Sequence, residues 1–209
     1  MPSTMITAIY QRISEMQQAL RDAEIDGWLF YDFRGSDPLA YRILLLDPTV
    51  HVTRRWYYWI PAQGVPVKLL HRIEPHVLDT LPGQADCYVS WEQQREILAR
   101  LLAGGLRVAM QYSPLNAVPY VSRVDAGTIE LIRSYDVEVV SSADLIQTFE
   151  ARWTDRQLES HQFAAAALRR IVDQTFNHVH EAITQGRGLT EYGVQQFILA
   201  RIREAGMVT

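Results

Sequence analysis

The sequence is poor in the features that mark several large functional classes. It holds one cysteine, Cys87, in 209 residues. A single thiol closes no intramolecular disulfide, and no Cys/His cluster with zinc spacing accompanies it, so a reducing, cytoplasmic setting is expected. The N-terminus, MPSTMITAIYQRISEMQQ, lacks the basic start and apolar stretch of a secretory leader. No charge-free run approaches the roughly 18 apolar residues of a membrane span. Basic charge is not in surplus: 20 Lys+Arg against 24 Asp+Glu leave a formal net charge of −4. Phosphate-backbone binding normally needs the opposite balance, so neither nucleic acid nor membrane is an expected partner. Internal repeats and low-complexity tracts are missing too.

What is present is an ordinary globular composition, 48% hydrophobic, 21% charged and 10% aromatic, at a length between one and two typical domains. Apolar residues at Ile6, Ile9, Tyr10, Ile13, Met16 and Leu20 fall at three- and four-residue steps and predict an amphipathic helix that stops at Asp26-Gly27. Trp28 to Tyr31 reads as a strand, followed by a loop at Asp32 to Ser36 and a short helix from Leu39 to Leu46 behind Ser36-Asp37-Pro38. Thr53 to Ile60 and Val65 to Leu70 predict a hairpin across Pro61-Ala62-Gln63-Gly64. Further strands are expected at Asp86 to Trp91, Leu106 to Tyr112 and Val137 to Val140, with helices at Glu92 to Leu102, Asp125 to Tyr135 and Ser142 to Phe149. Alternating helix and strand over residues 1–152 predicts an α/β domain, its sheet mixed because of the hairpin.

From Thr154 onward no strand candidate remains. Thr154 and Gln157 form a capping-box pattern, and Leu158, Ala165, Leu168, Val172, Thr175, Val179 and Ile183 trace a long stripe. Gly186-Arg187-Gly188 interrupts it, and a second helix runs from Thr190 to about Ala205. A helical hairpin cannot bury two large apolar faces by itself. Residues 153–209 are therefore expected either to begin a second, unfinished domain or to dock on another copy of the chain.

The order of GWLFY strand, SDPLAYRILLL helix, mixed α/β domain and TDRQLE-led long helix resembles the aminopeptidase P, prolidase and creatinase superfamily of pita-bread metallopeptidases over the whole chain. The stretch Tyr41-Arg42-Ile43-Leu44 stands where relatives usually read Tyr-Leu-Thr-Gly, which marks a divergent subgroup. The resemblance implies a creatinase/prolidase-like N-terminal domain at 1–152 and the first helices of a truncated catalytic domain at 153–209. It also implies two divalent metal ions (Mn, Co or Zn) in a full-length relative, held by two Asp, one His and two Glu that would follow these helices. Without such ligands this polypeptide is expected to be inactive alone, with no catalytic residue and no metal ligand of its own. Expected partners are a homodimer or higher homo-oligomer, or the missing C-terminal catalytic part, with a proline-containing peptide as the complete enzyme's substrate. Two rival readings are a stand-alone interaction or dimerisation module and a small-molecule-binding α/β domain with its crevice at the strand ends.

In relatives an N-terminal-domain loop reaches a neighbouring subunit's active site, and the resemblance makes His71 and Arg72, in the stretch HRIEPH, candidate substrate contacts. Arg72 would take a substrate carboxylate bidentately. Asp32 and Arg34, at the tip after the first strand, share that topological position. Other clusters read as structural. His178 and His180 lie two positions apart on a helix, about 200° around it, and cannot chelate one ion together. Cys87 has no activating base nearby in sequence. Alternation puts Trp56 and Tyr58 on one strand face and Tyr57 and Trp59 on the other, which predicts one face on the core and the other covered by a helix or a subunit interface, the interface being favoured.

Overall fold

The computed structural model describes residues 2–208. They form two compact units that part between Arg152 and Trp153.

The first unit is a six-stranded mixed sheet between helices. In chain order its elements are α1 (Pro2–Asp22), β1 (Gly27–Asp32), α2 (Pro38–Ile43), β2 (Trp56–Pro61), β3 (Val67–His71), β4 (Gln84–Tyr88), α3 (Trp91–Leu101), β5 (Arg107–Met110), α4 (Ala126–Arg133), β6 (Glu138–Ser141) and α5 (Ala143–Glu150). The strands lie in the order β4-β3-β2-β1-β5-β6. Pairings β1 with β5, β5 with β6 and β3 with β4 are parallel, and only β2 runs against its neighbours. Five strands therefore finish at one edge, where the crevice of an open α/β sheet lies.

Two cores result from the period-2 alternation of the strands. Trp28 and Phe30 of β1 pack with Met16 and Leu20 of α1, Leu39 and Ile43 of α2, and Ile146 of α5. Leu29 and Tyr31 face the other way, onto Leu98 of α3 and Ile129 and Ile132 of α4. Every residue of β1 is buried, as expected of a central strand covered on both faces. The same holds for Trp56 through Ile60 of β2, and this corrects the expectation of a subunit interface there. Trp56 and Tyr58 lie in the first core, Tyr57 and Trp59 in the second, because β2 sits inside the sheet with helices of its own chain over both faces.

Among the boundaries that differ from the sequence reading, two have a visible physical cause. The strand expected at 86–91 is β4, ending at Tyr88, because the Ser90 side chain accepts from the Gln93 amide and starts α3 at Trp91. The helix expected to reach Leu46 ends at Ile43: Leu45 adopts φ 55°, and the Leu46 amide turns back to the Tyr41 carbonyl, a left-handed helix stop built without glycine.

The second unit is α6 (Asp155–Thr184) and α7 (Glu191–Glu204). The Thr154/Gln157 capping box forms as expected. Ala167, Ile171 and Ala182 are the buried positions of α6, and the His178 ring stacks on Phe197 of α7 at 4.3 Å and 3°. A second apolar stripe, roughly 100° around the helix, stays in solvent. In it Leu168 is 46%, Val172 48%, Phe176 72% and Ile183 72% exposed.

Candidate functional site

Loops after β1, β3 and β4, together with the segment before β2, converge at the edge where the five parallel strands end. Register explains the convergence: Asp32 pairs with Trp56, and His71 with Tyr88. Glu74 organises the segment before β2. Its carboxylate accepts from the Thr53 amide and hydroxyl and from the Arg54 amide. Burial acts to raise the Glu74 pKa, but these hydrogen bonds outweigh it and hold the group below its ordinary range.

The four candidates take different places around this edge. Asp32 is wholly buried and accepts from the Gly35 and Asp37 amides at 2.9 Å each, which makes it the organiser of its loop. Arg34 is exposed, at φ 59°, with its guanidinium 5.5 Å from the centre of the Phe33 ring. It lines a cavity of about 780 Å³ with Pro38, Tyr41, Arg42 and His51. The His71 ring meets Tyr88 edge-on at 5.0 Å, and its Nδ1 accepts from the Ile73 amide, which places the proton of the neutral ring on Nε2. Arg72, the next residue, lines a separate cavity with Cys87, Gln93 and Glu96. Phe33 and His71 therefore line one cavity, Arg34 a second and Arg72 a third, while Asp32 is buried beneath the loop that carries Arg34.

Arg54 and Arg55, which the sequence reading passed over, stand beside His71. Cavities of about 520 and 280 Å³ share Phe33, Arg55, Trp91 and Gln94 and form one cleft along the edge. Its floor carries tyrosine hydroxyls, and Tyr88 donates to the Arg55 carbonyl at 2.7 Å. Burial pushes the Tyr31, Tyr57 and Tyr88 hydroxyls up, Tyr88 to about 12, while the charge of Arg55 acts on all three in the opposite direction. Arg95 stacks over Trp91 at 5.1 Å on one flank. Cations over an aromatic, hydroxyl-bearing floor, with Asp125 as the acid in the lining, suit a ligand that carries both a carboxylate and a ring or aliphatic body. The available signal was the Arg-Arg pair immediately before an aromatic strand.

The donor set does not fit a metal centre. Among the described residues no group of three or more His, Cys, Asp or Glu converges to hold an ion, and His178 is turned onto Phe197. Among the same residues no helix is long and apolar enough to cross a membrane.

Solved structures provide the comparison. A prolidase from Thermococcus sibiricus aligns over 93% of this chain and 49% of its own, at 16% identity and TM-score 0.54. Dipeptidase PepE from Mycobacterium ulcerans aligns over 96% and 50%, at 16% identity and TM-score 0.53. The chain has a prolidase-type fold. A dipeptidase from Pyrococcus horikoshii gives the same result at 18% identity and TM-score 0.51, over 92% of this chain and 49% of its own. The chain thus spans about half the length of each of these three structures. No family model and no curated protein matches the sequence. The expected mixed-sheet α/β class and the resemblance to prolidases agree with these findings.

Proposed function

We propose that this chain is the N-terminal part of a prolidase-like Xaa-Pro metallopeptidase, in which it contributes oligomerisation and substrate gating while a C-terminal catalytic part carries the divalent metals. The observation that supports this most is the bare stripe Leu168, Val172, Phe176 and Ile183 on α6, on a chain that spans about half of the prolidase and dipeptidase structures aligned above. A stable two-helix unit does not leave four large apolar side chains in water along one line unless something covers them. The cleft edge at Arg54, Arg55 and His71 faces the substrate in this reading, and its cations recognise the carboxylate of a proline-containing peptide.

Two measurements test the reading. Coding sequence beyond the Thr209 codon should supply an Asp, Asp, His, Glu, Glu series; a stop codon directly after Thr209 removes the metallopeptidase assignment and leaves the interaction module. Purified chain should bind an exposed-hydrophobe dye and self-associate in light scattering, and Leu168→Glu with Phe176→Glu should abolish both. Metal-dependent cleavage of a Xaa-Pro peptide by the chain alone would contradict the division of labour.

A further inference from the structure

The loop joining β1 to α2 is held by two buried carboxyl groups. Asp32 and Asp37 are both fully inaccessible to solvent. Asp32 Oδ2 accepts from the Gly35 amide at 2.9 Å and the Tyr41 hydroxyl at 3.3 Å, and its Oδ1 accepts from the Asp37 amide at 2.9 Å. The Asp37 Oδ1 accepts from the Leu39 and Ala40 amides at 3.0 and 3.1 Å and so caps α2. Its other oxygen, Oδ2, is buried with no hydrogen-bond partner. Between the two acids the backbone passes through consecutive left-handed residues, Arg34 at φ 59° and Gly35 at φ 72°. A non-glycine residue keeps that conformation only while its surroundings enforce it, and here the enforcement comes from amides donated to Asp32.

Charges reach this pair from each element around it. Asp32, at the end of β1, disfavours a charge on Asp37, while Arg123, ahead of α4, favours one. On α2, Tyr41 and Arg42 also feel Asp37. Arg42 is already engaged by Glu150 at 2.6 Å and by the Tyr120 hydroxyl at 2.9 Å. One cation at long range cannot neutralise two carboxylates that share no solvent.

We propose that Asp32 and Asp37 form a proton-operated latch: with a proton on Asp37 the loop 33–37 stays locked, and loss of that proton frees the loop. What the latch controls is one wall of the 780 Å³ cavity, since Arg34, Gly35 and Pro38 line it. Burial is the main cause that pushes Asp37 up to about 7, with Asp32 adding to it against the two backbone hydrogen bonds. The closed loop binds a proton that the open loop, with Asp37 in water, releases. Opening therefore becomes easier as pH rises from the ordinary carboxylate range to the closed-state value, and then levels off. The latch acts whether or not a catalytic part accompanies the chain.

Amide hydrogen exchange on the full chain, corrected for intrinsic rates, tests it. Protection of the Gly35 and Asp37 amides should fall about tenfold per pH unit between pH 5 and 7 and level off above. In Asp37→Asn the profile should be flat. A flat profile in the unaltered chain, or the same slope in Asp37→Asn, overturns the proposal. A carboxyl carbon NMR titration of the unaltered chain needs no variant. An Asp37 resonance that titrates near 7 supports the latch, and one that titrates in the ordinary carboxylate range overturns it.

Discussion

Gly27 opens β1 with a backbone that any residue can adopt, so its requirement for glycine is steric. A Cβ placed there would lie 2.2 Å from the Trp59 ring at Cη2 and 2.5 Å at Cζ2. The contact follows from register. Gly27 pairs with Pro61 and Leu29 with Trp59, which puts the Trp59 indole diagonally across the strand pair and over the hydrogen of Gly27. Trp59 is only 5% exposed and packs in the second core, so the ring cannot move aside without disturbing its neighbours. Gly27→Ala should therefore cost about 2 kcal/mol, the middle of the range for overpacking a close-packed core. Trp59→Leu removes the obstructing ring and costs stability of its own, but Gly27→Ala in that background should be near neutral. Urea denaturation of the four chains completes a double-mutant cycle with an expected coupling of about 1–2 kcal/mol. A coupling below about 0.5 kcal/mol, within ordinary additivity error, would mean that the indole is not what demands glycine at this position.

Other expected outcomes rest on single interactions. Glu74→Gln leaves one carbonyl where three donors meet a carboxylate; with the group partly exposed, a loss of about 1 kcal/mol in chemical denaturation is expected, and no loss would show that the 53–55 segment is held otherwise. Thr154→Ala breaks the capping box of α6 and should weaken that helix by about 1 kcal/mol, read as faster amide exchange in its first turn. Stability should also depend on pH with a definite sign. The folded chain holds a proton on Asp37 up to about pH 7, whereas the unfolded chain releases it near the ordinary carboxylate value. Unfolding free energy should accordingly fall by up to about 1.4 kcal/mol per pH unit across that window, and Asp37→Asn should flatten the curve. Below the window Glu74 and Asp125, whose folded values are lowered, should reverse the slope as they take up protons.

Much of the scaffold was legible because hydrophobic alternation is a local signal. GWLFY and WYYWI read as strands, PAQG as the hairpin connection, and the Thr154 cap as a helix start. β4 was misplaced for a physical reason: Gln84-Ala85-Asp86-Cys87-Tyr88 lies at the sheet edge, where the four residues before Tyr88 remain accessible, and such a strand carries little apolar alternation. Asp32 shows the limit of reading a site from sequence. An acid at a strand tip suggests a ligand contact, yet it is fully buried and spends its oxygens on loop amides and a phenol. Arg54 and Arg55 show the opposite limit, since Glu74, 20 residues away in sequence from Arg54, and the Tyr88 hydroxyl on the Arg55 carbonyl hold that segment beside His71.

Composition and periodicity by themselves determined the α/β class, the helical pair after Arg152 and the excess of apolar surface that the pair carries, because each depends on the spacing of side chains along one segment. Tertiary structure alone decided that both faces of the aromatic strand are covered by the chain's own helices. It also decided that His71 and Arg72 serve different cavities, and that Asp32 and Asp37 share one buried, charge-poor space. Those outcomes depend on strand order and on what lies across a sheet or a loop, and dielectric surroundings are a property of packing that no local pattern encodes.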